Sequence, residues 1–192
     1  ILKSHLPMLL KERPHSQYSQ VYKDRKLVLG AIGIFVYVGA EVTIGSYLIN
    51  YFLDMNLADL IREDQLMRGI VDRIQPNELA FVDDSGLVGA FVMFYWGGAM
   101  VGRFFGYYLM QVFTSNKILS WAALVAILMI LISMVSDGFL SLWSILCVGL
   151  FNSIMFPTIF SIALEDLEEL KAHGSGILCT AIVGGAFSPP LY

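Results

Sequence analysis

Residues 33–52 read GIFVYVGAEVTIGSYLINYF, a run that is apolar over most of its length and carries Glu41 near its centre. A helix that crosses a bilayer requires about 20 predominantly apolar residues, and this run has that length. A charged group at the bilayer centre costs about 2.5–3.5 kcal/mol even on the lenient insertion scale. We therefore predict that Glu41 avoids lipid and either forms a structural hydrogen bond to another helix or lines a polar pathway.

The amino-acid composition is that of a membrane protein. Of the 192 residues, 57% are hydrophobic and 15% are charged, and the mean hydropathy is +0.69. Soluble domains have about 45–50% apolar and about 25% charged residues. The net charge of -4 provides no basic surface for nucleic acid. The sequence contains no GxSxG, HExxH, P-loop or Rossmann glycine motif, so we predict no enzyme, no metal site and no cofactor.

Five segments are long and apolar enough to span a bilayer, which predicts an all-α membrane protein. They lie near residues 28–53, 88–110, 118–136, 139–164 and 175–192. The chain begins with Ile1 and its fifth apolar segment ends in SPPLY, so we expect a piece of a longer protein. Residues 1–27 are polar and basic rather than apolar, so we expect a cytoplasmic segment there and not a signal peptide.

The lysines and arginines predict the orientation, because cytoplasmic loops of membrane proteins are enriched in both. If residues 1–27 are cytoplasmic, most of the 12 basic residues lie inside, and the outer side holds only Arg62, Arg68 and Arg73. The outer connection, residues 54–87, is long and acidic. From Leu57 to Ile74 its apolar residues recur at roughly helical spacing. This pattern is typical either of a short amphipathic helix that ends before Pro76 or of a solvated loop with one or two helical turns.

Polar residues occupy two faces of the first span. Tyr37 and Gly45 share a helical face with Glu41, at positions i-4 and i+4, whereas Asn50 falls on the opposite face. An unbroken helix would therefore need two polar environments. A bend or unwinding at Gly45 would re-aim the outer half of the helix, as in the interrupted helices of transporters.

The fourth span repeats this combination of a polar side chain and a helix-perturbing residue in GLFNSIMFPTIFSIAL. Asn152 is an amide with both donors and an acceptor, and it lies about one turn before Pro157. Proline lacks an N–H, which leaves one carbonyl of the preceding turn unpaired and favours a kink. Asn152 therefore either contacts a ligand at the kink or only bonds a neighbouring helix.

The second span carries three glycines at four-residue spacing, namely Gly98, Gly102 and Gly106. Small residues on one face allow two helices to approach closely, and we expect packing within the chain rather than homodimerisation. Arg103 lies between these glycines near the inner end of the span. Its side chain either reaches the lipid headgroups or pairs with Glu165 or Asp166 of the other inner loop.

Four ordered motifs resemble the C-terminal half of the fucose–galactose–glucose:proton symporters, a family of the major facilitator superfamily. The motifs read YVGAEVTIGSYLINYF, YWGGAMVGRFFG, FNSIMFPTIFSIAL and GSGILCTAIVGGAFSPPLY. The resemblance covers nearly all of residues 28–192 except the acidic loop at 54–87. It implies part of a twelve-helix fold, in which the five spans are helices seven to eleven. The N-terminal six-helix half of the same chain and the twelfth helix would be missing, and residues 1–27 would link the two halves.

The resemblance also implies a binding site for a sugar at the bilayer midplane, with alternating access by rocking of the two halves. Glu41 matches a sugar-binding position of helix seven where fucose permeases have glutamine, and glutamate there resembles the glucose/galactose branch. Asn152 matches a helix-ten motif that faces the cavity. Further candidates for sugar binding are Tyr37, Asn50 and Tyr95, although the ring of Tyr95 is equally suited to ordinary packing.

Gly102, Arg103 and Gly106 resemble the second-half copy of the superfamily's inner-loop gating motif. The activity implied by the family is cation-coupled uptake of a hexose, glucose or galactose, across a bacterial inner membrane. The coupling ion is left open between H+ and Na+. Alternatives are a symporter for fucose or for an amino sugar such as N-acetylglucosamine, and, from another class, a membrane scaffold subunit that transports nothing.

Overall fold

The computed structural model describes residues 23–74, 83–167, 170–188 and 190. In chain order its helices are α1 (Arg25–Asp54), α2 (Leu57–Glu63), α3 (Gln65–Ile74), α4 (Asp84–Val112), α5 (Ser115–Val135), α6 (Gly138–Leu164), α7 (Lys171–Ala181) and α8 (Gly184–Phe187). The expected cytoplasmic segment at 1–27 lies mostly outside these residues, as do positions 75–82 of the outer connection.

Four of the helices, α1, α4, α5 and α6, are long and apolar enough to cross a membrane. Large apolar side chains cover their outer surfaces, among them Phe104 at 72% exposure, Trp121 at 68% and Val135 at 86%. An exposed apolar surface of this extent is suited to lipid rather than to water. Four of the five predicted spans are therefore confirmed, in an all-α membrane protein.

The fifth predicted span, 175–192, is not a single helix in the part of it that the structure describes. Helix α7 ends at Ala181, a turn follows at Ile182 and Val183, and α8 is only one turn long. Two glycines begin α8 and two prolines follow it, and these are the residue types with the lowest helix propensity. Gly184 also packs directly on the Phe35 backbone of α1, where a Cβ atom would collide with the carbonyl.

Helix α6 is the element around which the others are arranged, since it packs against α1, α4, α5 and α7. Towards its N-terminal end, Leu142 and Leu146 share a buried cluster with Phe91 of α4. Towards its C-terminal end, Ala163 is buried together with Leu27 of α1. The bundle therefore has two apolar clusters, one towards each membrane surface.

Glycines on both partners bring α4 and α6 into close contact. A Cβ atom on Gly102 would collide with the Leu150 carbonyl oxygen, and one on Gly106 would lie 3.1 Å from Ile154. On the facing helix, a Cβ atom on Gly149 would lie 2.9 Å from Cδ2 of Tyr95. The glycines of the second predicted span thus pack within the chain, as expected from their spacing.

Helix α1 runs without interruption through Gly45, so the predicted unwinding at this glycine is not found. Gly45 instead makes room for a neighbouring ring, because a Cβ atom there would lie 2.9 Å from Cζ2 of Trp96. Helix α6 likewise continues through Pro157. The two polar faces of α1 are therefore presented by one continuous helix.

In the part of the outer connection that the structure describes, the chain folds into two helices rather than one. The carboxylate of Asp64 interrupts the segment and caps α3, since Oδ1 accepts hydrogen bonds of 2.9 Å from the N–H groups of both Leu66 and Met67. The apolar residues Leu57, Ala58, Ile61 and Val71 are buried against the spans. The amphipathic interpretation is confirmed in this respect, and the solvated loop is wrong for α2 and α3.

Hydroxyl groups join the outer ends of α1, α5 and α6. The Tyr51 hydroxyl lies 2.9 Å from the carbonyl oxygen of Ser133, from Oγ of Ser133 and from Oγ of Ser141. Both serines are fully or almost fully buried, so each polar atom has a protein partner in place of water.

A substitution pair tests the close contact between α4 and α6. Gly102→Ala places a methyl group against the Leu150 carbonyl, and overpacking of this kind costs about 1–3 kcal/mol. Gly97→Ala on the same helix meets no atom within 4 Å and gains helix propensity. The melting temperature of the detergent-solubilised protein should fall for Gly102→Ala and stay level or rise for Gly97→Ala. Equal melting temperatures for the two variants would contradict this packing.

Candidate functional site: a polar cavity between α1, α4 and α6

Three of the spanning helices and the turn after α7 line an open cavity of about 470 Å³. Most of its wall is apolar, and its polar groups come from two helices. The lining residues are Tyr37, Val38, Glu41, Arg103, Tyr107, Met110, Phe156, Pro157 and Ile182. A concave, largely apolar space with a few converging polar groups has the usual character of a small-molecule site.

Tyr37 and Glu41 form the polar part of the α1 wall. They lie one turn apart on the same helical face, and the Glu41 carboxylate acts electrostatically on the Tyr37 hydroxyl. Tyr37 is 8% exposed, and Glu41 is half-buried at the edge of the cavity. A position at an open cavity lowers the cost of holding a carboxylate within the span, because the group need not be buried among apolar side chains.

Arg103 supplies the positive charge of the cavity from α4. Its guanidinium acts electrostatically on the Tyr37 hydroxyl, so the two side chains are near neighbours. Arg103 is exposed and forms no ion pair with another described residue. A free guanidinium and a carboxylate in one cavity can together bind a ligand rich in hydroxyl groups, because one donates hydrogen bonds and the other accepts them.

Both inner-loop acids that were candidate partners of Arg103 pair with Lys26 instead. Nζ of Lys26 lies 2.5 Å from Oδ2 of Asp166 and 3.9 Å from Oε2 of Glu165. Lys26 is the second residue of α1, so this contact ties the start of α1 to the end of α6. The expected pairing of Arg103 with these acids is therefore absent from this structure.

Tyr95 and Asn152 lie together at the α4–α6 interface. Tyr95 is completely buried and Asn152 is 7% exposed. The Asn152 side chain lies close enough to interact with the Tyr95 phenol, and Glu41 acts on the same phenol electrostatically. Nevertheless, neither the Tyr95 hydroxyl nor Nδ2 of Asn152 has a hydrogen-bond partner of normal geometry. Neither residue lines the cavity, but two buried donors without acceptors retain unused hydrogen-bonding capacity near Glu41.

The remaining predicted site residues lie apart from the cavity wall. Asn50 is exposed and lies nine residues along α1 from Glu41, a separation of about 13 Å in an α-helix. Gly102 and Gly106 are buried in the contact with α6. The structure therefore brings together Tyr37, Glu41 and Arg103, with Tyr95 and Asn152 as neighbours, but not Asn50.

Several cavity residues were not singled out from the sequence. Tyr107 lies one turn after Arg103, on the same face of α4, so helical spacing could have indicated it. Ile182 reaches the cavity from the turn between α7 and α8, and no sequence pattern signals that turn as part of the wall. Within the described residues, no group of three or more His, Cys, Asp or Glu is placed to hold a metal ion.

The fold defines the class: the chain has the architecture of part of the major facilitator fold. A crystal structure of the major facilitator superfamily transporter FucP in the outward conformation matches 93% of this chain with a TM-score of 0.73. The two sequences are 25% identical, and the match covers 37% of that chain. No family model matches the sequence.

Curated relatives agree with this class. The chain is 47% identical over 168 residues to a glucose/galactose transporter of Brucella abortus and 39% identical over 187 residues to a putative glucose/galactose transporter of Helicobacter pylori. It is 31% identical over 157 residues to the L-fucose-proton symporter of Escherichia coli. The matches cover 88%, 97% and 82% of this chain.

The chain spans 35%, 40% and 30% of the lengths of these three relatives. The expected resemblance is thus confirmed: the chain is homologous to sugar transporters of the major facilitator superfamily and corresponds to part of such a protein. Each relative is named as a transporter, in agreement with the expectation that the chain is not an enzyme.

Two tyrosines in different hydrogen-bonding situations provide a test of the site. Tyr95→Phe removes a buried hydroxyl without a partner, so the melting temperature should stay level or rise. Tyr51→Phe removes a hydroxyl that contacts Ser133 and Ser141, and should cost about 0.5–1.5 kcal/mol. Thermal unfolding of the two variants in detergent measures the difference. A larger loss for Tyr95→Phe would mean that its hydroxyl already has a protein partner.

Proposed function

We propose that the chain is the C-terminal half of a secondary active transporter that takes up a hexose by cation-coupled symport. In this proposal α1, α4, α5, α6 and the segment containing α7 and α8 are helices seven to eleven of twelve. Residues 1–27 link them to the first half, and 28–192 form a truncated second half that lacks the twelfth helix. The sugar binds at the midplane, and rocking of the two halves gives alternating access.

The cavity that holds Tyr37, Glu41 and Arg103 is the observation that carries the proposal. A hexose presents hydroxyl groups that both donate and accept hydrogen bonds, and the cavity offers a carboxylate to accept and a guanidinium to donate. Tyr95 and Asn152 add two buried donors without acceptors beside it. The apolar remainder of the wall suits the C–H faces of a pyranose ring.

The choice of sugar follows the names of the relatives. The two proteins named for glucose and galactose are 47% and 39% identical to this chain, and the protein named for fucose is 31% identical. Glucose or galactose is therefore the first candidate, and fucose is the second. All three relatives are bacterial proteins, which supports placement in the cell membrane of a bacterium.

The proposed coupling ion is H+, because one relative is named as a proton symporter. The residues that carry the ion are assigned to the missing half. Gly102, Arg103 and Gly106 are proposed to act in gating. The two glycines set the distance between α4 and α6. Arg103 lies next to Gly102 and lines the cavity, so a movement of α4 would change the distance between the Arg103 guanidinium and the Glu41 carboxylate.

Glu41 is the residue whose substitution tests the proposal. In the complete transporter that contains this chain, Glu41→Gln keeps one acceptor and should weaken uptake of labelled glucose and galactose. Glu41→Ala removes every polar atom and should nearly abolish uptake, with the protein still inserted. Losing a hydrogen bond to a charged group costs about 1.5–3 kcal/mol, which corresponds to a loss of roughly tenfold or more in affinity.

Ser120→Ala is the matched control, because the Ser120 hydroxyl is exposed and bonds only the Asn116 carbonyl of its own helix. Uptake by this variant should equal that of the unsubstituted protein. Undiminished uptake by both Glu41 variants would remove the proposed ligand role. If uptake were also undiminished after substitution of Asn152, the result would favour the alternative that the chain is a membrane scaffold.

A second test uses the 192-residue chain alone. Its cavity is open where the other half is proposed to lie, so a sugar would be held from one side only. We expect the isolated chain to insert into membranes, to associate with itself through its exposed polar face, and to bind no sugar. Equilibrium dialysis with labelled glucose and galactose measures this. Saturable binding by the isolated chain would contradict the proposal that two halves form the site.

A further inference from the structure

Two adjoining cavities lie beside the C-terminal end of α4, at the end of the bundle that the lysines and arginines predict to be cytoplasmic, and the second of them shares Met110 with the cavity beside Glu41. The first has a volume of about 360 Å³ and lies between α4, α5 and α6. Its wall is apolar except for Lys117, and its residues are Leu109, Phe113, Lys117, Ile118, Trp121, Ala122, Val125, Phe151 and Ile154. It is independent of the residues proposed to bind sugar.

The apolar cavity is a groove that follows α5 into the membrane. Lys117, Trp121 and Val125 recur at four-residue spacing on one face of this helix. From Lys117 to Val125 the helix rises about 12 Å. The groove therefore has a charged residue at the membrane surface and an apolar channel below it. These two features match the headgroup and the acyl chain of a lipid.

The second cavity is polar and shares Phe113 with the first. It has a volume of about 630 Å³ and extends between the α4–α5 turn and the start of α7. Its polar lining residues are Thr114, Ser115, Asn116, Ser161, Glu165 and Lys171. Hydroxyl, amide and charged groups at the membrane surface form a suitable environment for a lipid headgroup.

The charges around the polar cavity have both signs. Lys117 of the adjoining apolar cavity and Lys171 of the polar cavity are exposed, and neither forms an ion pair with another described residue. Glu165 lies 3.9 Å from Lys26, whose closer partner is Asp166 at 2.5 Å, so the Glu165 carboxylate can accept further hydrogen bonds. A purely anionic headgroup would meet Glu165 with the wrong sign, whereas a headgroup with both charges would satisfy the lysines and the acid.

We propose that these two cavities form one binding site for a phospholipid whose headgroup carries a phosphate and a protonated primary amine. One of its two acyl chains lies in the groove beside Trp121 and Val125. The phosphate contacts Lys117 and Lys171, and the ammonium group donates a hydrogen bond to Glu165. Each part of the lipid thus meets a wall of matching chemistry.

Lipid binding to the complete transporter tests the site directly. Detergent-purified protein is titrated with palmitoyl-oleoyl phosphatidylethanolamine, phosphatidylcholine or phosphatidylglycerol, and the bound lipids are counted by native mass spectrometry. Phosphatidylcholine has the same charges but no N–H donor, and phosphatidylglycerol has no amine. Phosphatidylethanolamine should bind about tenfold more tightly than phosphatidylcholine, the effect of one charge-assisted hydrogen bond.

Variants separate the parts of the site. Glu165→Gln should remove the preference for phosphatidylethanolamine, while Lys26 keeps its pairing with Asp166. Replacing Lys117 and Lys171 together by Gln should weaken all three lipids, and Val125→Trp, which fills the groove, should do the same with every charge intact. Lys23→Gln, an exposed lysine outside both cavities, is the control and should change nothing.

Equal binding of phosphatidylethanolamine and phosphatidylcholine would overturn the proposal, and so would a preference that survives Glu165→Gln. Absence of bound lipid would also overturn it, because the cavities would then be covered by another segment of the longer protein. None of these outcomes bears on sugar uptake, so the lipid site and the transport function succeed or fail separately.

Discussion

The contact between α4 and α6, in which glycines on each helix meet the backbone of the other, holds the rest of the structure in place. Within a membrane, helices gain little by burying apolar surface against each other, because lipid is equally apolar. Close packing of small residues then becomes a principal source of association. This close packing comes from Gly102 against Leu150 and Gly149 against Tyr95. These contacts determine which side chains lie beside the α4–α6 interface. Tyr95 and Asn152 meet there, and Arg103 enters the cavity one residue after Gly102.

Buried polar groups in this bundle are of two kinds. At the outer end, Tyr51, Ser133 and Ser141 satisfy one another, and such a network joins helices without requiring a ligand. Beside the cavity, the Tyr95 hydroxyl and the Asn152 amide nitrogen have no acceptor. A satisfied network rigidifies the fold, whereas unsatisfied donors retain hydrogen-bonding capacity. This contrast, rather than polarity alone, separates a structural cluster from a candidate binding site.

The spans and the pairing of the glycine face could be predicted from the sequence, because length, apolarity and four-residue spacing act locally. Glu41 could be predicted to avoid lipid for the same reason. The partner of Lys26 could not, since it depends on which inner acids the ends of α1 and α6 bring together. Continuity of α1 through Gly45 also escaped prediction, because a glycine that permits a bend equally permits a close neighbour such as Trp96. The interruption of the fifth span reflects contacts of Gly184 with α1 that no local pattern records.

Sugar binding in the cavity beside Glu41 is the central element of the proposed function. Ile182 lines this cavity, whereas Ile127 is an exposed residue of α5 outside it. In the complete transporter, with Cys147 and Cys179 replaced by serine, a cysteine at each position is labelled with a thiol reagent in the presence and absence of galactose or glucose. We expect sugar to slow the labelling of Ile182→Cys and to leave the labelling of Ile127→Cys unchanged. Equal labelling rates of Ile182→Cys with and without either sugar, in a protein that still transports it, would contradict sugar binding in this cavity.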